Sequence, residues 1–198
     1  MKEKRRYTIL AVILVVVLLL AGIGYRLLSD RYAASQAETA PTEPQVSAQD
    51  GSQQETPADP MLAPDFTVTD QAGNDIRFAD QVGQPIILNF WASWCPPCRS
   101  ELPDFDAASQ KYGDEITFMM IDLCDGMRET SVSGLAFVQE QGYTFPVYLD
   151  TTYEASSLYG VYSIPMTVGI NAEGEIVSIY TGAMSGEQIE ALVSDLLS

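Results

Sequence analysis

The hydrophobic and polar positions divide the chain into three regimes. Residues 7–25, YTILAVILVVVLLLAGIGY, form one apolar run without a charge. Residues 29–60 are poor in apolar positions and rich in Ala, Gln, Ser, Thr, Glu and Pro. From Met61 onward, strand-like and helix-like periodicities alternate. DFTVTD (65–70) alternates apolar and polar residues and runs into the turn QAGN, which predicts an N-terminal hairpin. PIILNFWA (85–92) is almost continuously apolar, the pattern of a buried central strand. A helix is predicted from about Cys95 to Tyr112, with Leu102, Phe105 and Ala108 or Ser109 on one face. EITFMMIDL (115–123) reads as a second core strand, and ETSVSGLAFVQEQG (129–142) as a helix closed by its glycine. FPVYLD (145–150) is a short strand and TYEASSLYG a short helix ending at Gly160. PMTVGI, NAEG and EIVSIYTG predict a strand, a turn and an antiparallel strand. SGEQIEALVSDLL opens with the Ser185 and Gln188 capping pattern and closes the domain. Strands alternating with helices and then a hairpin make residues 61–198 an α/β domain, a mixed sheet flanked by helices.

The apolar run is long enough to cross a bilayer, since nineteen residues rise roughly 28 Å. KEKRR precedes it, which keeps the basic residues 1–6 cytoplasmic and sends the chain beyond the run outward. A cleaved signal peptide has an apolar region of only about 7–15 residues. The small-residue stretch YAASQA lies beyond the run, and Ile23 stands where a lipid-bearing cysteine would have to follow LLLAG. Residues 7–28 are therefore expected to be an uncleaved single-pass transmembrane anchor. Residues 29–60 cannot bury enough surface to offset their chain entropy and are expected to tether the domain to it.

Charge narrows the partners. The net charge is −17, and beyond Ser29 there are 26 acidic residues against 5 basic ones. Nucleic acid, which demands Lys and Arg, is excluded. There is no histidine, so His-dependent triads and His-ligated metal sites are excluded as well. Three cysteines without histidine cannot complete a four-thiolate site within one chain; a metal would need a dimer or carboxylate ligands, and none is expected.

Two of the cysteines stand in SWCPPCRSE, residues 93–101. The motif follows a buried strand and opens a helix, where unpaired amides and the positive end of the dipole stabilise a thiolate at Cys95. Pro96 and Pro97 fit a first helical turn because their missing N–H groups would have had no partner there. Cys98 lies one turn on, close enough for a disulfide within the pair. The same two prolines remove donors that would have solvated the Cys95 thiolate. Its pKa is expected to be less depressed than at a helix start that keeps those donors, and the disulfide correspondingly more stable, which favours reduction of other disulfides.

LNFWASWCPPC resembles the active-site stretch of the thioredoxin superfamily, and the chain as a whole is similar to its TlpA/ResA-like branch. Supporting matches are APDFTVTDQAGN, CRSELPDF, GYTFPVYLD, YGVYSIP and NAEGEIVSIYTGAM, spread over residues 61–198. The resemblance implies a thioredoxin fold with an N-terminal hairpin and a strand–helix insertion around residues 124–150. It implies a membrane-anchored, extracytoplasmic thiol–disulfide oxidoreductase that reduces cysteine pairs of exported proteins. Apocytochrome c before haem attachment is one such client, and a membrane electron carrier recharges the enzyme. The redox disulfide itself would be the only redox group, with no added cofactor. Carried over by residue, Cys95 matches the exposed attacking cysteine, Cys98 the buried resolving one, and Pro165 the proline in a cis bond against the disulfide. Met166 stands where the usual residue is Thr. Trp94 is expected both to cover the sulfurs and to pack. Thioredoxins proper keep a buried Asp six residues before the first cysteine; here that position is Asn89, which cannot titrate in this range. Glu101, on the same helix face as Cys98, matches a glutamate beside the thiols. Partial burial is expected to raise its pKa and make it the acid–base group of the pair.

Two rivals stay open at this point. A thiol peroxidase of the same broad fold uses a Thr-x-x-Cys setting, which ASWCPPC does not offer. A non-enzymatic module binding haem or an unfolded client would keep its affinity after loss of both thiols. Cys124 reads as a small, partly buried filler, or more sharply as a third redox thiol or one half of an intermolecular disulfide. Asp122 and Asp125, which flank it, are expected to raise its pKa by like-charge repulsion and favour the filler.

Overall fold

The computed structural model describes residues 61–198; the expected basic N-terminus, anchor and tether, residues 1–60, lie outside the described residues. Seven strands form one sheet in the order β2-β1-β5-β4-β3-β6-β7. They are β1 (Thr67–Asp70), β2 (Asp75–Arg77), β3 (Ile86–Trp91), β4 (Thr117–Asp122), β5 (Val147–Leu149), β6 (Met166–Ile170) and β7 (Ile176–Thr181). The helices are α1 (Pro96–Tyr112), α2 (Ser131–Gln141), α3 (Glu154–Leu158) and α4 (Gly186–Leu196), with a 3₁₀ turn at Phe78–Gln81. Among the described residues no helix is long and apolar enough to cross a membrane.

β3 is central because every residue in it is buried. Its alternation splits it between two cores. Ile87 and Trp91 pack with Leu102, Phe105 and Leu192 under α1 and α4. Ile86, Leu88 and Phe90 pack with Phe66, Phe78 and Met119 on the other side. Full burial of such a side chain stabilises the fold by about 1.5–3 kcal/mol. Asn89, in phase with Ile87 and Trp91, is the polar residue this alternation turns toward α1. β3 and β4 run parallel, and β6 returns antiparallel to β3 with Phe90 opposite Met166. That register brings Pro165 beside the end of β3, where α1 begins.

The expected hairpin is β1–β2, with Asp70 Oδ1 accepting from the amides of Ala72 and Asn74 across the turn. The insertion supplies α2 and β5, and β5 separates β4 from β1 in the sheet. α2 is capped by Thr130 and ends at Gly142, whose φ of 73° suits a residue without a side chain. α4 carries the Ser185–Gln188 capping box. α1 starts one residue later than the periodicity predicts, because Cys95 is its N-cap rather than its first helical residue.

Candidate active site

The chain leaves β3 at Trp91, turns through Ala92 to Trp94, and enters α1 at Pro96. The Cys95 amide donates to the Ala92 carbonyl at 3.1 Å, closing the turn. Cys95 and Cys98 are joined by a disulfide, with Cα atoms 5.3 Å apart. At the helix start Cys95 Sγ also accepts from the Cys98 amide at 3.3 Å. Pro96 and Pro97 occupy the first two helical positions and are exposed, so that amide is the donor the first turn retains for the sulfur. Facing it from the other side, the Ile164 carbonyl oxygen lies 3.7 Å from Cys95 Sγ. In the reduced state this oxygen favours a thiol over a thiolate, opposing the amide and the dipole. The Ile164–Pro165 bond is cis, as the resemblance implies.

One expectation is corrected here. Cys95 is not exposed in the disulfide state: it is 2% accessible, against 0% for Cys98. It packs into the apolar cluster that holds Trp91 and Leu102, with Ile164 against it. Beside it, Trp94, Tyr153, Tyr162 and Ile164 line an open groove of about 270 Å³.

Glu101 is more deeply placed than partial burial suggests. It is fully buried on the inner face of α1 with Cys98 and Leu102. One carboxylate oxygen accepts from the Met184 amide at 2.7 Å and the other from Asn89 Nδ2 at 2.8 Å. Burial outweighs both donors and pushes its pKa up to about 7. Asn89 Nδ2 also donates to Thr167 Oγ1 at 3.0 Å, and Asn89 Oδ1 has no partner. A half-turn of this amide would present Oδ1 to a protonated Glu101 and to the Thr167 hydroxyl, so the chain of three can serve either protonation state. Thr167 and Met184 are not marked as site residues by the sequence. Thr167 faces Asn89 in the β3–β6 register. Met184 contributes only a backbone N–H, which leaves no mark on residue type.

Trp94 is 39% exposed, and the Arg128 guanidinium stacks 3.9 Å from its ring centroid. Its packing partner is therefore a cation delivered by the insertion. Behind it, the Glu129 carboxylate is fully buried and accepts from the Ser93 amide at 2.7 Å. Neither contact is legible in the sequence, since each joins residues far apart along the chain. Cys124 is a free, buried thiol. Its pKa is pushed up to about 12, first by burial and then by Asp122, so repulsion acts as expected but is the smaller cause. Among the described residues no cluster of three or more Cys, Asp or Glu could hold a metal ion.

Residues 61–179 match the AhpC/TSA family. The chain is 32% identical to thiol-disulfide oxidoreductase ResA of Geobacillus kaustophilus over 193 residues, covering 96% of this chain and 95% of that protein. It is 31% identical to ResA of Bacillus subtilis over 202 residues, covering 100% and 95% of the two chains. The crystal structure of StoA from Bacillus subtilis superposes with a TM-score of 0.58 at 31% identity, over 68% of this chain and 99% of that one.

Proposed function

Because the chain belongs to the AhpC/TSA family and, within it, to the ResA-like thiol–disulfide oxidoreductases, we propose that it reduces disulfides of exported proteins from an anchored, extracytoplasmic position. Cys95 is the attacking sulfur, Cys98 the resolving one, and Glu101 the acid–base group of the pair. The observation that carries this reading is the disulfide at the start of α1 with a buried carboxyl, pushed up to about 7, on the same helix face.

In the reduced enzyme, the Cys95 thiolate attacks one sulfur of a client disulfide. The client's S–S bond breaks, a Cys95–client disulfide forms, and the leaving client thiolate takes a proton. Cys98 then loses its proton and attacks Cys95 Sγ. This forms the Cys95–Cys98 disulfide and releases the second client sulfur, which is protonated in turn. Two electrons pass from the enzyme dithiol to the client, and two protons follow them. Without histidine, Glu101 is the buried group able to accept the Cys98 proton near neutral pH. Pro165 backs the pair, and the Ile164 carbonyl restrains thiolate formation at Cys95. The first turn has lost two amide donors to Pro96 and Pro97, which leaves the thiolate less stabilised and the disulfide correspondingly favoured, the poise of a reductase.

The reading extends to a membrane electron carrier that returns the disulfide to the dithiol. It extends also to a cysteine pair such as that of apocytochrome c as client, with no redox group beyond the pair itself. A Cys98→Ser variant leaves the first step intact and removes the second. Expressed in cells, it should accumulate mixed disulfides with its clients, which pull-down and mass spectrometry identify. Cys95→Ser should abolish exchange. Full activity in Cys95→Ser, or peroxide consumption by the purified protein at a rate matching exchange, would sink the reading.

A further inference from the structure

The insertion places an unusual group of acids beneath the active-site turn. β4 ends at Asp122, and the loop after it doubles back because Asp125 Oδ1 accepts from the amides of Met127, Arg128 and Glu129 at 2.6–2.8 Å. This tight loop aims two consecutive side chains at the two residues preceding Cys95. Arg128 stacks on Trp94. Glu129 takes the Ser93 amide at 2.7 Å, and the Ser93 hydroxyl reaches both carboxylate oxygens at 2.7 and 3.0 Å. The Ser133 hydroxyl, on α2, lies 3.0 Å from Glu129 Oε1. Ser93 sits inside the turn that the Cys95 amide closes. A shift of Glu129 therefore moves the turn that carries the sulfur.

Glu129 has no cationic partner among the described ion pairs. The groups around it are mostly acids. Asp122 comes from β4 and Cys124 from the loop; Asp125 in turn faces Asp122, and Asp150, from the end of β5, faces Cys124. Gly134 of α2 is where the two nearest carboxyls meet. A methyl group there would overlap Asp122 Oδ2 and stand 3.1 Å from Glu129 Oε1.

We propose that Glu129 is a positioning residue for thiol–disulfide exchange, holding Ser93 and through it Cys95 in register with Cys98, while Asp122 carries the proton that lets the two buried carboxyls coexist. Two carboxylates this close in a buried site do not both ionise without a large cost. The donors decide the division: Ser93 and Ser133 serve Glu129, whereas Asp122 Oδ1 has no partner. Burial, with the Glu129 charge second, pushes Asp122 up to about 8. Above that pH, repulsion acts on Glu129, whose retreat releases Ser93. Exchange should then slow on the alkaline side, where growing thiolate supply would otherwise speed it.

The inference rests on Cys95 as the attacking sulfur, which Cys95→Ser tests separately. Its own test is the dithiothreitol-driven reduction of a synthetic peptide with one disulfide by the full chain in detergent, measured from pH 6 to 9.5. Glu129→Gln should lower kcat about 10-fold and leave KM within about twofold, because orientation and not client binding is lost. Asp122→Asn should abolish the alkaline fall. A parent-like kcat and pH profile in Glu129→Gln would overturn the positioning role, and an alkaline fall that persists in Asp122→Asn would overturn the shared proton. Should Glu129→Gln fail to fold, Ser93→Ala decides, since it keeps the carboxylate and two of its donors. A drop in kcat of about threefold at unchanged KM supports the proposal, and a parent rate overturns it.

Discussion

Glu101 and Glu129 are both fully buried, both lie against the turn and helix that carry the disulfide, and neither has an ion-pair partner among the described residues. Their surroundings differ. Glu101 meets one fixed donor, the Met184 amide, and one reversible partner, Asn89. Glu129 meets the Ser93 amide and two hydroxyls and has a second carboxyl, Asp122, beside it. A carboxyl with a partner that can turn around is free to change its protonation. A carboxyl gripped by several donors serves as a strut, and its neighbour takes up the proton instead. Burial alone does not assign a role to an acid; the number and reversibility of its donors do.

The largest effect expected from disturbing this contrast is structural. Gly134→Ala pushes a methyl group into Asp122 Oδ2, displacing both carboxyls on the Glu129 side. It should cost about 2–4 kcal/mol in urea unfolding, with exchange activity falling alongside. A parent-like midpoint would show that the two acids have room to separate.

Next in size is Glu101→Gln. The amide keeps the shape and removes the proton acceptor, so exchange at pH 7 should fall about 10-fold, with the pH profile of Cys95 alkylation displaced. Glu129→Gln should instead lower kcat below about pH 8, where the parent still holds Ser93, and the gap should close above it. Identical profiles for the two variants would erase the distinction between proton carrier and strut.

Stability against pH gives a smaller and sharper test. Both acids have folded pKa values above their ordinary ones, so the folded state binds more protons than the unfolded chain. The stability they confer is complete below their unfolded values of 3.8 for Asp122 and 4.5 for Glu101. It is lost as pH rises through about 8 for Asp122 and about 7 for Glu101. Asp122→Asn should flatten the upper part of that decline by about 1–2 kcal/mol between pH 5 and 9, measured by urea unfolding. A slope equal to the parent's would remove Asp122 as the proton holder.

Cys124→Ala should do least. The thiol donates to Asp122 Oδ2 at 3.7 Å and is held protonated, so its loss should cost about 1 kcal/mol or less and leave exchange unchanged. A loss of activity comparable to that of Cys98→Ser would make it a third redox thiol.

The sequence by itself determined whatever is encoded over a few residues. The near-continuous apolar run PIILNFWA placed a strand buried on both faces, and the 3.6 period placed α1 with Leu102 and Phe105 inward. The Cys-x-x-Cys spacing at a helix start put both sulfurs one turn apart, within bonding range. Glu101 was legible as sharing the Cys98 face, because residues three apart on a helix are neighbours whatever the rest of the chain does. Its full burial was not, since that depends on α4 arriving with Met184, 83 residues further on. The near-closure of Cys95, the Arg128 stack on Trp94 and the Glu129 grip on Ser93, 36 residues away, likewise belong to the tertiary structure. The last two require the insertion to fold its loop back against the turn, and the first brings Ile164 against the sulfur. Periodicity reports which way a side chain faces; only the packing of distant segments decides what it meets, and for a buried acid that meeting sets the charge it carries.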